Sequence, residues 1–366
     1  MSEPIPFRRF RPRDPERPRV LISRLSAIGD TILTLPVACR LRERFPDAYL
    51  AWLVEEKSAA FVRDHPALDE VIVARRGWFT KPREIAELRR RLQPLRFDAA
   101  FDCQGLTKSA LGGWLSGAPL RAGFRGQHGG ELSPWLNNTL IPATSPHVTD
   151  RSLELLQPLG LAHAPGDGVA WGIRPQASAE EAIAAWLGDT GDRPFAVINP
   201  GATWPSKLWS MPRFGELAQR LRDRFKLPTV VVWGGRQEEA WAAEIVAASD
   251  GAARLSPPTT LHELAALLGS ARLMVSSDTG PMHLAVAMGA PTVGLHGATR
   301  PCDCGPYGPP NVGLLKQLQT GGRRERRTAD NTAMLSLTVD DVFAACSDVL
   351  GRTAERAVGT PPAKAS

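Results

Sequence analysis

No apolar run in this 366-residue chain reaches the ~18 residues that a membrane-spanning helix requires. The basic N-terminus lacks the apolar stretch of a signal peptide, so secretion is not expected. Cysteine is scarce: five residues at positions 39, 103, 302, 304 and 346, odd in number and without a C-x-x-C pair. That excludes a disulfide scaffold and suits free thiols in a reducing cytoplasm. Cys302-Asp-Cys304 is the closest pairing, but two sulfur ligands in a Pro/Gly-rich loop fall short of a metal site, and both read as incidental thiols. No resident metal or cofactor is therefore expected. Zinc-finger spacing, an RNP-type aromatic motif and heptads are all missing, which argues against a nucleic-acid partner. No G-x-G-x-x-G follows an apolar run, which lowers the case for a dinucleotide-binding dehydrogenase.

What is present is a globular, basic composition. Hydrophobic residues make up 43% and the formal net charge is +6, enough apolar material for real cores. Six arginines lie among prolines in residues 8–19, "RRFRPRDPERPR", which reads as a flexible arm over residues 1–18. A second basic segment spans residues 75–96, "RRGWFTKPREIAELRRRLQPLR". It is either a solvated helix face or a patch for an anionic partner such as a membrane surface or acidic substrate.

Short apolar runs alternate with helical patterns along the chain. "RVLISRL", "AYLAWLVEE", "DEVIVAR" and "FDAAFDCQG" read as strands, with helices over 31–44, "REIAELRRRL" and "LTKSALGGWL". Loop-rich residues 162–194, holding one helix near 178–187, interrupt the rhythm. The alternation restarts with "FAVINPG", "PTVVVWGG", "LMVSSD" and "PTVGLHG" as strands. Residues 312–336 read as irregular, Thr338 as the N-cap of a last helix, and residues 352–366 as a disordered tail. The fold class is α/β. Two Rossmann-like domains, residues 19–175 and 176–351, are expected to have mostly parallel sheets and a cleft between them. Ligands in such sheets bind beyond the carboxyl ends of strands, so the loops after strands are the informative ones.

Four of these loops carry chemistry. In "SAIGDTILTLP", Asp30 is either a helix cap or a general base. In "NPGATWPSKLWSMPRF", Thr203 and Lys207 are either loop residues or phosphate contacts, and Trp204 and Trp209 are packing residues or flank a ligand. In "VVWGGRQEEA", Glu238 or Glu239 either favours the helix dipole or accepts ribose hydroxyls. "SSDTGPMH" is the densest: Asp278, Thr279, Gly280 and His283 stand where a strand turns into a helix, with Pro281 suited to the first helical turn. Free N–H groups at that turn suit a diphosphate.

These segments, together with "WLVEE", "FDCQGLTKSA" and "SSDTGPMHLAVAMGAPTVGLHGAT", resemble glycosyltransferase family 9, the ADP-heptose:lipopolysaccharide heptosyltransferases. The resemblance covers roughly residues 19–350 and is greatest to the type 1 enzymes, which add the first heptose to Kdo. It implies the GT-B fold and inverting transfer of heptose from ADP-heptose to a Kdo sugar on lipid A. It implies a cytoplasmic protein in peripheral contact with the inner membrane. Under it, Asp30 is the base. Thr203, Lys207, Glu238, Asp278, Thr279, Gly280 and His283 are donor contacts. Arg76, Lys81, His147 and Arg151 are acceptor contacts. Two positions depart from the pattern: Gly129 and Gly130 stand where type 1 enzymes tend to carry an arginine, and Thr259 where an apolar contact for adenine is expected. Rival readings are a second-heptose enzyme, a nucleotide-sugar epimerase or hydrolase, and a non-catalytic binding protein.

Overall fold

The computed structural model describes residues 10–166, 168–188 and 193–359. The chain divides into two compact units, Met1–Ile173 and Arg174–Ser366. In the first, β1 (Arg19–Ser23), β2 (Tyr49–Glu55), β3 (Glu70–Ala74), β4 (Ala99–Asp102), β5 (Leu120–Arg125) and β6 (Thr139–Pro142) form one parallel sheet. Its order is β3-β2-β1-β4-β5-β6. Side chains alternate across it, as strand geometry demands. Val20, Ile22, Trp52 and Phe101 pack beneath the helix Ile28–Arg44 on one face. Leu21, Leu53 and Ala100 pack with Leu88, Leu92 and Leu115 on the other.

The second unit repeats the plan. β7 (Ala196–Asn199), β8 (Thr229–Val231), β9 (Ala253–Leu255), β10 (Leu273–Ser277), β11 (Thr292–His296) and β12 (Val312–Leu315) are parallel, in the order β12-β11-β10-β7-β8-β9. Each unit has the doubly wound order, with a switch point between β1 and β4 in one and β7 and β10 in the other. At such a point the flanking connections run to opposite faces and leave a crevice at the strands' carboxyl ends.

Several elements differ from the sequence reading. Residues 312–336, read as irregular, contain β12 and the short helices Arg323–Thr328 and Thr332–Leu335. The helix from Val339 runs to Gly359, past Arg352 where disorder was expected, and residues 360–366 lie outside the described residues. Thr338 caps it as read: its hydroxyl accepts from Asp341 N at 3.2 Å, and its own N–H donates to the Asp341 carboxylate at 2.8 Å. Of the arm, residues 1–9 lie outside the described residues. The rest is anchored: Phe10 packs on Phe45, and Asp98 accepts from the backbone N–H groups of Arg13 and Arg19.

Candidate active site

The crevice of the first unit is built around Arg24, which follows β1. Asp30 lies in the first turn of the helix Ile28–Arg44. Its Oδ2 accepts from Ala27 N at 3.2 Å, and its Oδ1 meets the Arg24 guanidinium at 2.7 Å. Arg24 is buried, whereas the Asp30 side chain is 45% exposed. The carboxylate therefore caps the helix, is aimed by a fixed cation, and still faces solvent. The loop beneath it is braced from β1's two neighbours. Lys108, opening the helix after β4, donates to Glu55 at the end of β2 (2.9 Å) and to Ser26 Oγ (3.0 Å). Gln104 accepts from Leu25 N at 2.9 Å.

The crevice of the second unit centres on Asp278. This carboxylate is buried and collects donors from three segments. Lys207 Nζ lies 2.7 Å from Oδ2, Thr299 Oγ1 2.7 Å from the same oxygen, and His283 Nε2 3.4 Å from Oδ1. Burial alone would push the carboxyl up. The His283 hydrogen bond and the Lys207 charge outweigh it and hold the group well below the usual carboxylate range. Asp278 thus stays ionised and is neutralised from within. Lys207 also donates to the Asp278 carbonyl at 3.0 Å, and its ammonium lies 4.6 Å from the centre of the Trp204 ring. An ammonium carries three N–H donors; the two bonds to Asp278 leave one for a ligand.

Thr279 is the N-cap residue of the helix Gly280–Ala287. Its hydroxyl accepts from Asn199 Nδ2 at 3.1 Å, which ties the end of β7 to the turn after β10. The first N–H groups of any helix lack carbonyl partners and carry partial positive charge. Around this turn Ser277 Oγ, His283 Nδ1 and His296 Nε2 are buried without a partner. Burial drives His296 down to about 4, so it is a neutral ring near pH 7. Unpartnered buried polar atoms are rare in folded proteins, and three at one turn suit a polar ligand.

Glu238 lies apart from this cluster, against the ends of β7 and β8. Its carboxylate accepts from Gly234 N at 2.8 Å, and a Cβ on Gly201 would come within 2.4 Å of it. Burial pushes Glu238 up. Glu239 is exposed, so of the two glutamates left open by the sequence, Glu238 faces the turn. Thr203 is exposed. Trp209 is a packing residue, buried with its N–H on the Leu337 carbonyl at 3.0 Å.

The residues expected at the acceptor are less convergent. Arg76 is exposed in the turn after β3, and Lys81 pairs with Glu84 at 3.1 Å. His147 is the N-cap of the helix Val148–Glu154, its ring accepting from Thr149 N at 3.2 Å. Arg151, one turn on, donates back to the Pro146 carbonyl. Residues with no role in the sequence reading are Arg24, Glu55, Gln104, Lys108, Asn199, His296 and Thr299. All lie within motifs already singled out, at strand ends or the helix starts after them. Among the described residues no three His, Cys, Asp or Glu side chains cluster as a metal site.

Comparison with known proteins fits this geometry. Residues 85–333 match glycosyltransferase family 9, described as heptosyltransferase. The chain is 32% identical over 311 residues to lipopolysaccharide heptosyltransferase 1 of Pseudomonas aeruginosa, covering 81% of this chain and 83% of that one. To lipopolysaccharide heptosyltransferase 2 of Escherichia coli it is 26% identical over 298 residues, covering 77% and 84%. The solved E. coli heptosyltransferase WaaC with ADP superimposes with a TM-score of 0.72 at 25% identity, covering 90% of this chain and 99% of that one.

Proposed function

The chain belongs to glycosyltransferase family 9 and is a glycosyltransferase, and from that premise we propose that it is a lipopolysaccharide heptosyltransferase of type 1, moving heptose from ADP-heptose to an anionic Kdo sugar linked to lipid A. The observation that carries the donor half is the turn after β10, where an internally neutralised Asp278, one spare Lys207 N–H and three unpartnered polar atoms surround a helix start. A nucleoside diphosphate would accept from the spare Lys207 N–H and from the free N–H groups of the helix start. Glu238 would accept the ribose hydroxyls.

In the proposed reaction Asp30 accepts the proton of the acceptor hydroxyl, whose oxygen bonds to the anomeric carbon. The bond from that carbon to the ADP oxygen breaks, and the electron pair leaves with the diphosphate. Displacement from the opposite face inverts the anomeric configuration. Lys207, Thr203, His283 and the N–H groups at 279–280 stabilise the charge growing on the leaving group, the duty a metal performs elsewhere. Arg76, Lys81, His147 and Arg151 would meet the acceptor's carboxylates and phosphates. The acceptor places the protein in peripheral contact with the cytoplasmic face of the inner membrane. Among the described residues no helix is long and apolar enough to cross a membrane.

The test is ADP release with donor and acceptor supplied separately and together. Release only with both, unchanged by a chelator, is expected. Release from donor alone at the full rate indicates a hydrolase, binding without release a non-catalytic protein, and activity only on an already heptosylated core a second-heptose enzyme.

A further inference from the structure

We propose that the face of the first unit formed by the helices Pro82–Leu92, Thr107–Leu115 and Ser133–Leu136 docks onto an anionic lipid bilayer, with Leu132 and Trp135 as the inserted residues. The three helices pack side by side on one face of the sheet, opposite Ile28–Arg44 and Val148–Glu154. Among the described residues of this unit, every exposed large apolar side chain is on that layer or the turn leading into it. Trp135 is 86% exposed, Leu132 59%, Trp114 47% and Phe79 37%.

The exposure of Trp135 is built rather than incidental. The helix Ser133–Leu136 is held from beneath by the buried Asp102 at the end of β4. Ser133 Oγ and Asn137 Nδ2 both donate to Asp102 Oδ2, at 2.6 and 3.2 Å. Ser133 and Asn137 are four residues apart and share the inner side of the turn. Leu132 and Trp135, three apart, are left on the outer side. At the other end of the layer, Arg83, Arg89, Arg90 and Arg91 of Pro82–Leu92 are exposed. The segment 75–96 holds eight Lys or Arg against two Glu.

Charge decides the occupant. The cores of protein interfaces are depleted of charge, and a second copy would bring like-charged arginines together. An anionic bilayer accepts both parts: arginines at the headgroups, and indole and leucine at the boundary with the acyl chains. This inference rests on the lipid-linked acceptor proposed above, but its test does not need that reaction.

The experiment is flotation of the full chain with phosphatidylcholine vesicles, with and without phosphatidylglycerol, and tryptophan quenching by brominated lipid. Binding to the phosphatidylglycerol vesicles that weakens with salt is expected. The double variant Leu132→Ser/Trp135→Ser is expected to lose about tenfold in partition, with unchanged melting temperature and unchanged transfer to a water-soluble, acyl-free acceptor. Arg83→Glu/Arg90→Glu is expected to lose the preference for phosphatidylglycerol. Unchanged partition of the serine variant, or a concentration-dependent dimer that the serines abolish, overturns the docking surface. A chain that partitions as expected but transfers no sugar overturns the function and leaves the docking surface standing.

Discussion

Asp30 has two jobs that one substitution separates. Its Oδ2 caps Ala27 N and its Oδ1 holds Arg24. Asn keeps one oxygen, which can still accept from Ala27 N, but it turns an NH2 donor toward the Arg24 guanidinium, so Asp30→Asn should cost about 1.5–3 kcal/mol of stability for the lost charged contact. As base, the same change should lower transfer roughly 10²–10⁴-fold with ADP affinity unaltered. A variant transferring at the wild-type rate would leave Asp30 a cap only. Lys207 is expected to behave differently, because it neutralises a buried carboxylate as well as facing the donor. Lys207→Met should weaken donor use by about 1.5–3 kcal/mol. It should also destabilise the fold by about 3–5 kcal/mol, since Asp278 loses its main cation. Kinetics and urea unfolding on the same sample measure both, and wild-type values in each remove Lys207 from the site. The residue types and spacings of Asp30, Lys207 and Asp278 were legible in the sequence. The partner that aims Asp30 was not: Arg24 is six residues away in sequence, and only the turn from β1 into the helix brings its guanidinium back.

At the scale of elements, the central strands β1, β2, β7 and β10 and their helices were readable because these strands are buried on both faces. Continuous apolar runs are the result. Of the edge strands, β3 was read and the other three were not. β6, β9 and β12 have four, three and four residues, and each pairs on one side only. Polar residues are tolerated there and the signal fades. β11 lies inside that margin and ends in His296, a neutral ring buried beside the turn after β10. Its folded value of about 4 lies below the unfolded value of 6.5. The unfolded chain therefore takes up the proton first, so stability falls as pH drops from 6.5 and levels off below 4. The loss amounts to about 3 kcal/mol. Asp278 does not confound this window. Its folded value is depressed, so its contribution is full above about 3.8 and is lost only below that. His65, lowered by burial in the first unit, adds a slope of its own, so the comparison must be with a variant. His296→Phe should melt with a shallower dependence on pH between 6.5 and 4 than the wild type. Equal slopes in the two proteins would mean that His296 is not held neutral.

On the scale of the whole molecule, tandem α/β units were legible because the alternation stops at residues 162–194 and restarts. The strand order was not, since periodicity says which segments are strands and nothing of which pair. Each unit has its own core: Ile198, Phe214, Val275 and Val342 in the second, Ile22, Leu41, Trp52 and Phe101 in the first. The groups proposed to hold the donor all lie in Arg174–Ser366, whereas Asp30 lies in Met1–Ile173. Expressed alone, the second unit should therefore fold cooperatively and bind ADP within a few-fold of the intact chain. It should transfer no sugar at any concentration of donor and acceptor. Calorimetric titration with ADP, alongside thermal unfolding, measures this. If the unit folds but binds ADP a hundredfold more weakly, the turn after β10 is not self-sufficient and part of the donor site must come from the first unit. If it binds ADP with full affinity, Lys207→Met in the isolated unit should reproduce the loss seen in the intact chain. That result would assign the lysine's effect to the second unit, with no part taken by the first.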